Sequence, residues 1–196
     1  TSNLEFIVTR DGTVIEEPIF QLIDVFNGEY GGLWETITPG GQGSLTDGEY
    51  VIHANLIDKV GNVYSTQDAD DPLATFSVDA QQPEVNVPTL LVNGSEDKRN
   101  VKLGDTIELS FTASESIDGE PEVYIGTVAM TQVPSQGLSY VYRYTPELAS
   151  ADSGIETLVD GIYIASVRLV DTAGNVGITN LTDNALTFDV VPPNVI

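Results

Sequence analysis

Asp47-Gly48-Glu49-Tyr50 opens an alternating run that closes in Asp58-Lys59-Val60-Gly61-Asn62, and Asp160-Gly161-Ile162-Tyr163 opens a second that closes in Asp171-Thr172-Ala173-Gly174-Asn175. The offset is 113 residues at each of these landmarks. Between them Tyr50, Ile52, Ala54 and Leu56 keep step with Tyr163, Ala165, Val167 and Leu169. A period of two is that of a strand with one face buried, because successive side chains of an extended chain point to opposite sides. The other face, Glu49, Val51, His53 and Asn55 against Ile162, Ile164, Ser166 and Arg168, is more polar and is expected to face water. After each Gly-Asn turn comes a similar closing strand, Thr75-Phe76-Ser77-Val78-Asp79 and Thr187-Phe188-Asp189-Val190, now offset by 112. The repeated unit is a hairpin together with the last strand of a domain.

A repeat of that length in 196 residues predicts two small domains, 1–81 and 82–196, joined at Gln81-Gln82-Pro83-Glu84. A hydrophobic content of 41% suffices for two modest cores. No apolar run is long enough to span a bilayer and no basic-plus-apolar leader is present, so a soluble interior segment or a processed product is expected. Thirty acidic against seven basic residues give a net charge of -23, spread over both domains. Such a chain repels phosphate, which argues against nucleic acid and against an anionic membrane surface as partners. It attracts cations instead. With no cysteine, no disulfide staples the sheets, which suits a bacterial surface protein.

In chain order, β-prone runs at 4–9 and 19–25 are separated by the hairpin signal Asp11-Gly12 and by Pro18. A run at 30–37 carries the only tryptophan, Trp34, and Pro39-Gly40-Gly41-Gln42-Gly43 reads as loop. The acidic loop Asp68-Ala69-Asp70-Asp71-Pro72 precedes the closing strand. In the second domain a strand at 87–92 is followed by one at 106–113 with Ile107, Leu109, Phe111 and Ala113 inward. Strands at 122–125 and 128–131 follow the turn Ile117-Asp118-Gly119-Glu120-Pro121, and Tyr140, Tyr142 and Tyr144 share one face of the next. The polar stretch 149–158 has room for a helical turn. Short strands with turn signals at this density, twice over, predict an all-β protein of two tandem immunoglobulin-like antiparallel β-sandwiches. In that fold a tyrosine near the start of the penultimate strand bonds back to the corner before it, and Tyr50 and Tyr163 hold that place.

On these residues, together with Gly104-Asp105-Thr106-Ile107 and Ala113-Ser114-Glu115-Ser116, the sequence resembles the immunoglobulin-like repeats of giant type I-secreted, biofilm-forming bacterial surface adhesins. Those repeats end in Asp-Gly-x-Tyr, an alternating strand, Asp-x-Ala-Gly-Asn, Thr-Phe-x-Val-Asp and a Pro-containing linker. The resemblance takes in most of the second domain. In the first it is confined to 45–83, with Lys59-Val60 in place of Thr-Ala, so 1–81 reads as a variant repeat. It implies a non-catalytic extender at the bacterial cell surface, whose partners are neighbouring repeats of the same chain and Ca²⁺ at the domain joints. Similar modules also accompany surface hydrolases.

The Asp-x-x-Gly-Asn turns are explained equally by turn chemistry alone and by turn plus cation. Asp47 and Asp58 lie 11 residues apart on one strand, about 36 Å, and cannot share an ion. In this topology Asp47 and Asp79 belong at the exit of the first domain, and Asp171 with Glu115 and Asp118 at the entrance of the second. These five are the candidate ligands for a Ca²⁺, which takes six to eight hard oxygens. The competing reading is an acidic joint that stays solvated. Asp68, Asp70 and Asp71 read as a solvated loop. His53, without cysteine or a second histidine, is a poor transition-metal or catalytic candidate. No carboxylate pair is singled out for hydrolysis. Trp34 beside Tyr30, Gly31 and Gly32 offers either a core aromatic or a sugar-stacking platform, which makes a glycan-binding module the alternative function. An isopeptide crosslink at Lys102 finds little in the sequence to support it.

Overall fold

The computed structural model describes residues 3–15, 21–25, 29–33, 45–67, 71–147 and 158–191. The chain divides into two units, Thr1–Gln81 and Gln82–Ile196. Those described residues are strands and turns apart from one short 3-10 turn, Thr182–Asn184.

In the first unit the strands are β1 (Asn3–Arg10), β2 (Thr13–Val14), β3 (Gln21–Val25), β4 (Glu29–Leu33), β5 (Gly48–Ile57), β6 (Val63–Ser65) and β7 (Ala74–Val78). The repeated stretch is β5, and it is central: β1 runs antiparallel along its whole length, while β6 and β7 pair with its two halves. Of the set expected inward, Tyr50 and Ala54 are buried, with Val8 of β1 on the same face, and Ile52 is half-buried; Leu56 departs from the expectation and is 42% exposed. The polar face departs from expectation at His53, which is buried because Thr66, just past β6, folds over it. Its Nδ1 lies 3.3 Å from Thr66 Oγ1, which also accepts the Ala54 N–H. β3 and β4 form a separate two-stranded hairpin.

The second unit contains β8 (Val85–Val92), β9 (Asn100–Val101), β10 (Ile107–Ala113), β11 (Glu122–Ile125), β12 (Val128–Ala129), β13 (Thr131–Val133) and β14 (Ser139–Tyr144). These are followed by β15 (Gly161–Tyr163), β16 (Ala165–Val170), β17 (Val176–Asn180) and β18 (Leu186–Phe188). One sheet has the order β13-β14-β10-β8 and the other β12-β11-β16-β17, and β9 joins β18 in parallel. Taken in chain order this is the A-B-E-D and C-F-G division of an immunoglobulin-like sandwich. Inward residues of both sheets meet in one core, Leu90, Ile107, Leu109 and Phe111 from the first against Val123, Ile125, Val167 and Leu169 from the second. Each such side chain, fully buried, contributes about 1.5–3 kcal/mol. β8 carries a bulge at Val87, whose φ of 49° is costly for a β-branched residue, and the β8–β10 register shifts there. The stretch 149–157 lies outside the described residues.

Candidate functional site

Each copy of the repeated strand ends in the same turn, built by the same atoms. Asp58 Oδ1 accepts the N–H groups of Val60 at 2.9 Å and Asn62 at 2.8 Å, and its Oδ2 accepts the Asn62 side-chain amide at 2.6 Å. Asp171 Oδ1 accepts from Ala173 and Asn175, both at 2.8 Å, and its Oδ2 accepts the Asn175 amide at 2.8 Å. Gly61 and Gly174 share a φ of 92°, which is why glycine stands at both. Asp, Gly and Asn are thereby accounted for in each turn without an ion. At Asp58 the Asn62 side chain and backbone hold the carboxyl below its ordinary range. Burial works the other way at Asp171, yet the Asn175 and Ala173 donors outweigh it and the net direction is again down.

The aspartate that opens each copy holds the chain leaving the last strand. Asp47 Oδ1 accepts the Ala80 N–H and its Oδ2 the Gln81 side-chain amide, both at 2.8 Å. Asp160 Oδ1 accepts the N–H groups of Val190 at 2.7 Å and Val191 at 3.1 Å. Both oxygens of Asp47 therefore face N–H donors, led by Gln81, which lower its pKa. That employment differs from the one its candidacy as a Ca²⁺ ligand assigns it. Asp79 is exposed and takes the Gln81 N–H at 3.0 Å, so Asp47 and Asp79 do meet at one exit segment of the first unit.

In the second unit the loop 115–118 packs beside Asp171. Ile117 bridges to Asp171, and the Asp118 N–H donates to the Val170 carbonyl at 2.7 Å. Asp118 is exposed, Glu115 half-buried and Asp171 only 1% exposed. A Glu115 carboxylate oxygen comes within 4.8 Å of one on Asp171. Two carboxylates this close, one of them out of water, form the part of the acidic set where a cation has most to offset.

Tyr50 makes the expected corner: its hydroxyl donates to the Thr46 carbonyl at 2.7 Å and accepts the Thr46 N–H at 3.2 Å, while its ring stacks on Phe76 at 5.2 Å. Tyr163 departs from the expectation. Its ring lies back over Gly161 and Gly126 and meets Phe188 edge-on at 5.3 Å, and no hydroxyl bond to the preceding corner is made among the described residues. Its part is packing.

Two buried polar groups escaped the sequence reading. Asp105 accepts from Lys98 Nζ at 2.8 Å, Asn93 Nδ2 at 2.7 Å and the Lys102 N–H at 3.0 Å. Burial alone would raise its pKa; Lys98 and the N–H donors outweigh that and bring it down to about 2. A carboxylate held ionised against an ammonium is the opposite of what amide formation requires, and that ammonium is Lys98's, Lys102 contributing only its backbone N–H. Tyr142, with its ring in the core, donates to the Pro121 carbonyl at 2.7 Å, a bond from one sheet to the approach of the other. Burial, with Glu120 and Tyr140, pushes that phenol up to about 12. Gly104-Asp105 enters the sequence reading only as part of the resemblance, and nothing local points to the Tyr142 hydrogen bond. Trp34, Asp68, Asp70 and the Tyr30 side chain lie outside the described residues, and Asp71 is exposed.

Neither a protein-family model nor a curated protein sequence matches the chain. Among solved structures it is similar to a chimeric titin Z1Z2-Z1Z2 tandem functionalized with an exogenous GRGDS peptide from fibronectin. That match has 12% identity and a TM-score of 0.29, over 96% of this chain and 85% of that one. It is also similar to SGBP-B of the Bacteroides ovatus mixed-linkage glucan utilization locus, in complex with a mixed-linkage heptasaccharide. Here identity is 17% and the TM-score 0.22, over 95% of this chain and 37% of that one. The immunoglobulin-like assignment rests on the strand order given above.

Proposed function

We propose that this chain is a non-catalytic extender, two tandem immunoglobulin-like modules of an adhesin-type protein at the bacterial cell surface, with Ca²⁺ stiffening the joint between them. The observation that carries the reading is the Glu115–Asp171 carboxylate pair within the second unit, in a chain of net charge -23. At an effective dielectric constant near 20, two like charges at that separation repel by on the order of 3 kcal/mol. A divalent cation turns that repulsion into binding energy. Asp118 stands in the same loop, and Asp79, at the end of β7 and before a short linker, is the ligand expected from the first unit. Asp47 serves as the clasp on Ala80 and Gln81. Carbonyl oxygens and water would complete a Ca²⁺ shell; Mg²⁺ demands a tighter octahedron and fits such a set less well. The absence of a catalytic role draws support from His53, which is buried against Thr66 rather than set in a cleft.

Calorimetry with Ca²⁺ and with chelator tests the proposal. Ions that bind only the folded protein stabilise it, by about 2.7 kcal/mol at 100 times the dissociation constant of one site, and so raise its midpoint. An unchanged midpoint would falsify the calcium reading.

A further inference from the structure

The loop from β8 to β10 begins with the pair Asn93-Gly94. Val92 and Ser95 exchange main-chain bonds across it, at 3.0 and 3.1 Å, and both central residues have positive φ, 51° at Asn93 and 79° at Gly94. Positive φ at both positions is the demand of a type I′ turn, which Asn-Gly meets better than other pairs. The Asn93 side chain then reaches the far end of the loop. Its Nδ2 donates to Asp105 Oδ1 at 2.7 Å, its Oδ1 accepts the Thr106 N–H at 2.8 Å, and its own N–H donates to the Thr106 carbonyl at 2.8 Å. One residue thus ties the two ends of 93–106 together.

Asn-Gly is also the pair at which a side-chain amide is most open to attack by its own main chain. The nitrogen of the following residue attacks Cγ, a C–N bond forms as the Cγ–Nδ2 bond breaks, and the proton of the attacking N–H leaves with the amide nitrogen as ammonia. Water then opens the succinimide at either carbonyl, giving aspartate or isoaspartate. A side chain on the following residue obstructs the attack, and glycine has none; at Gly94 even the position of a Cβ has nothing within 4 Å of it. Asn62 and Asn175, which close the repeated turns, are each followed by a β-branched valine. Asn93 is itself exposed, so water reaches it. The pair Asn27-Gly28 lies outside the described residues.

We propose that Asn93 is a self-modification site and a one-way latch: its carboxamide closes the loop 93–106 while intact, and its conversion to aspartate or isoaspartate opens it. While the latch is closed, the carboxamide is turned toward Asp105 and Thr106, and reaction with Gly94 waits until both of its bonds have broken. Two bonds of ordinary strength slow the reaction about 30-fold. After conversion to aspartate, a carboxylate oxygen stands where Nδ2 donated. It faces Asp105, which is 3% exposed and poorly screened by water, and Lys98 Nζ, 2.8 Å from Asp105 Oδ2, has two carboxylates to balance instead of one. Isoaspartate adds a methylene to the main chain of the turn and shifts the Asn93 N–H away from Thr106. Either product disfavours reclosing.

For the test, the folded 196-residue chain and the same chain in urea are held in one mildly alkaline buffer, and amide-to-acid conversion is followed peptide by peptide by mass spectrometry. Asn93 converts about 30-fold more slowly in the folded chain, and in urea it converts faster than Asn62 and Asn175. Asn93→Asp, which makes the product directly, lowers the second unit's thermal midpoint and speeds tryptic cleavage at Lys98, Arg99 and Lys102, all within the loop. Adding Asp105→Asn to Asn93→Asp removes the opposing carboxylate and recovers part of that midpoint, which a loss of packing alone would not allow. Two results overturn the proposal. One is an equal rate at Asn93 in the folded chain and in urea. The other is an Asn93→Asp protein with the midpoint and the trypsin resistance of the wild type.

Discussion

At the scale of single residues, three tyrosines, Tyr50, Tyr163 and Tyr142, separate hydrogen bonding from packing. Tyr50→Phe removes both hydroxyl bonds with Thr46 and leaves the stacking on Phe76, so it should cost the first unit about 1–2 kcal/mol. Tyr163→Phe removes a hydroxyl with no corner bond and should be close to silent. Tyr142→Phe strands a buried Pro121 carbonyl and should cost the second unit about 1–3 kcal/mol. Thermal unfolding of the three variants orders them, and equal losses at Tyr50 and Tyr163 would contradict the geometry. Asp105 makes a pH prediction of definite sign. Its pKa is depressed in the folded state, to about 2 from an ordinary 3.8, so its stabilising contribution is fully present above pH 4 and is lost as pH falls toward 2. Asp105→Asn should flatten the acid limb of the second unit's stability curve in that window. An acid limb identical to that of the wild type would mean that Lys98 and the Asn93 amide do not bind the charge as the contacts indicate.

At the scale of elements, the hairpins were legible in the sequence because their demands are local. Asp to cap two N–H groups, Gly at positive φ and Asn to close the ring must lie within five residues, and so they recur intact at 58–62 and 171–175. Gly61→Ala and Gly174→Ala meet open space but the wrong φ, and each should cost its own unit about 1–2 kcal/mol, read as the shift of one calorimetric transition and not the other. Gly177 is different in kind. A Cβ there would stand 1.8 Å from the Pro83 carbonyl oxygen, so Gly177→Ala should push the entering chain off β17 and destabilise the second unit by about 1–3 kcal/mol or more. What could not be read is what depends on distant partners. The burial of His53 hangs on Thr66, Asp105 needs Lys98 and Asn93 to fold around it, and Tyr163 chooses Phe188 over the corner. Strand alternation carries one bit per residue, inward or outward. It cannot say that Leu56 and Tyr64, on the inward face, are exposed where their counterparts Leu169 and Gly177 are buried.

At the scale of the whole molecule, the decisive quantity is how much free chain separates the units. Asp47 ties Ala80 and Gln81 to the first unit. On the other side Pro83 rests on Gly177, and Glu84 exchanges bonds with Ser114, its N–H to the Ser114 hydroxyl at 2.8 Å and its carbonyl to the Ser114 N–H at 2.9 Å. Under the calcium proposal, Gln82 is the hinge. A joint with so few soft torsions can be stiffened by a small number of ligand bonds, whereas a long linker would need many. Under the calcium proposal, Asp79→Ala should abolish the effect of Ca²⁺ on the spread of interdomain angles while leaving both units folded, because Asp79 is exposed and lies beyond the inward residues Phe76 and Val78. Asp47→Ala should act differently, lengthening the hinge by two residues and broadening the angles with or without the ion. Small-angle scattering on the three proteins, each with Ca²⁺ and with chelator, separates these outcomes. A wild-type maximum dimension that ignores Ca²⁺, or an Asp79→Ala variant that responds as the wild type does, removes the ion from the joint and leaves the short hinge alone to set its stiffness.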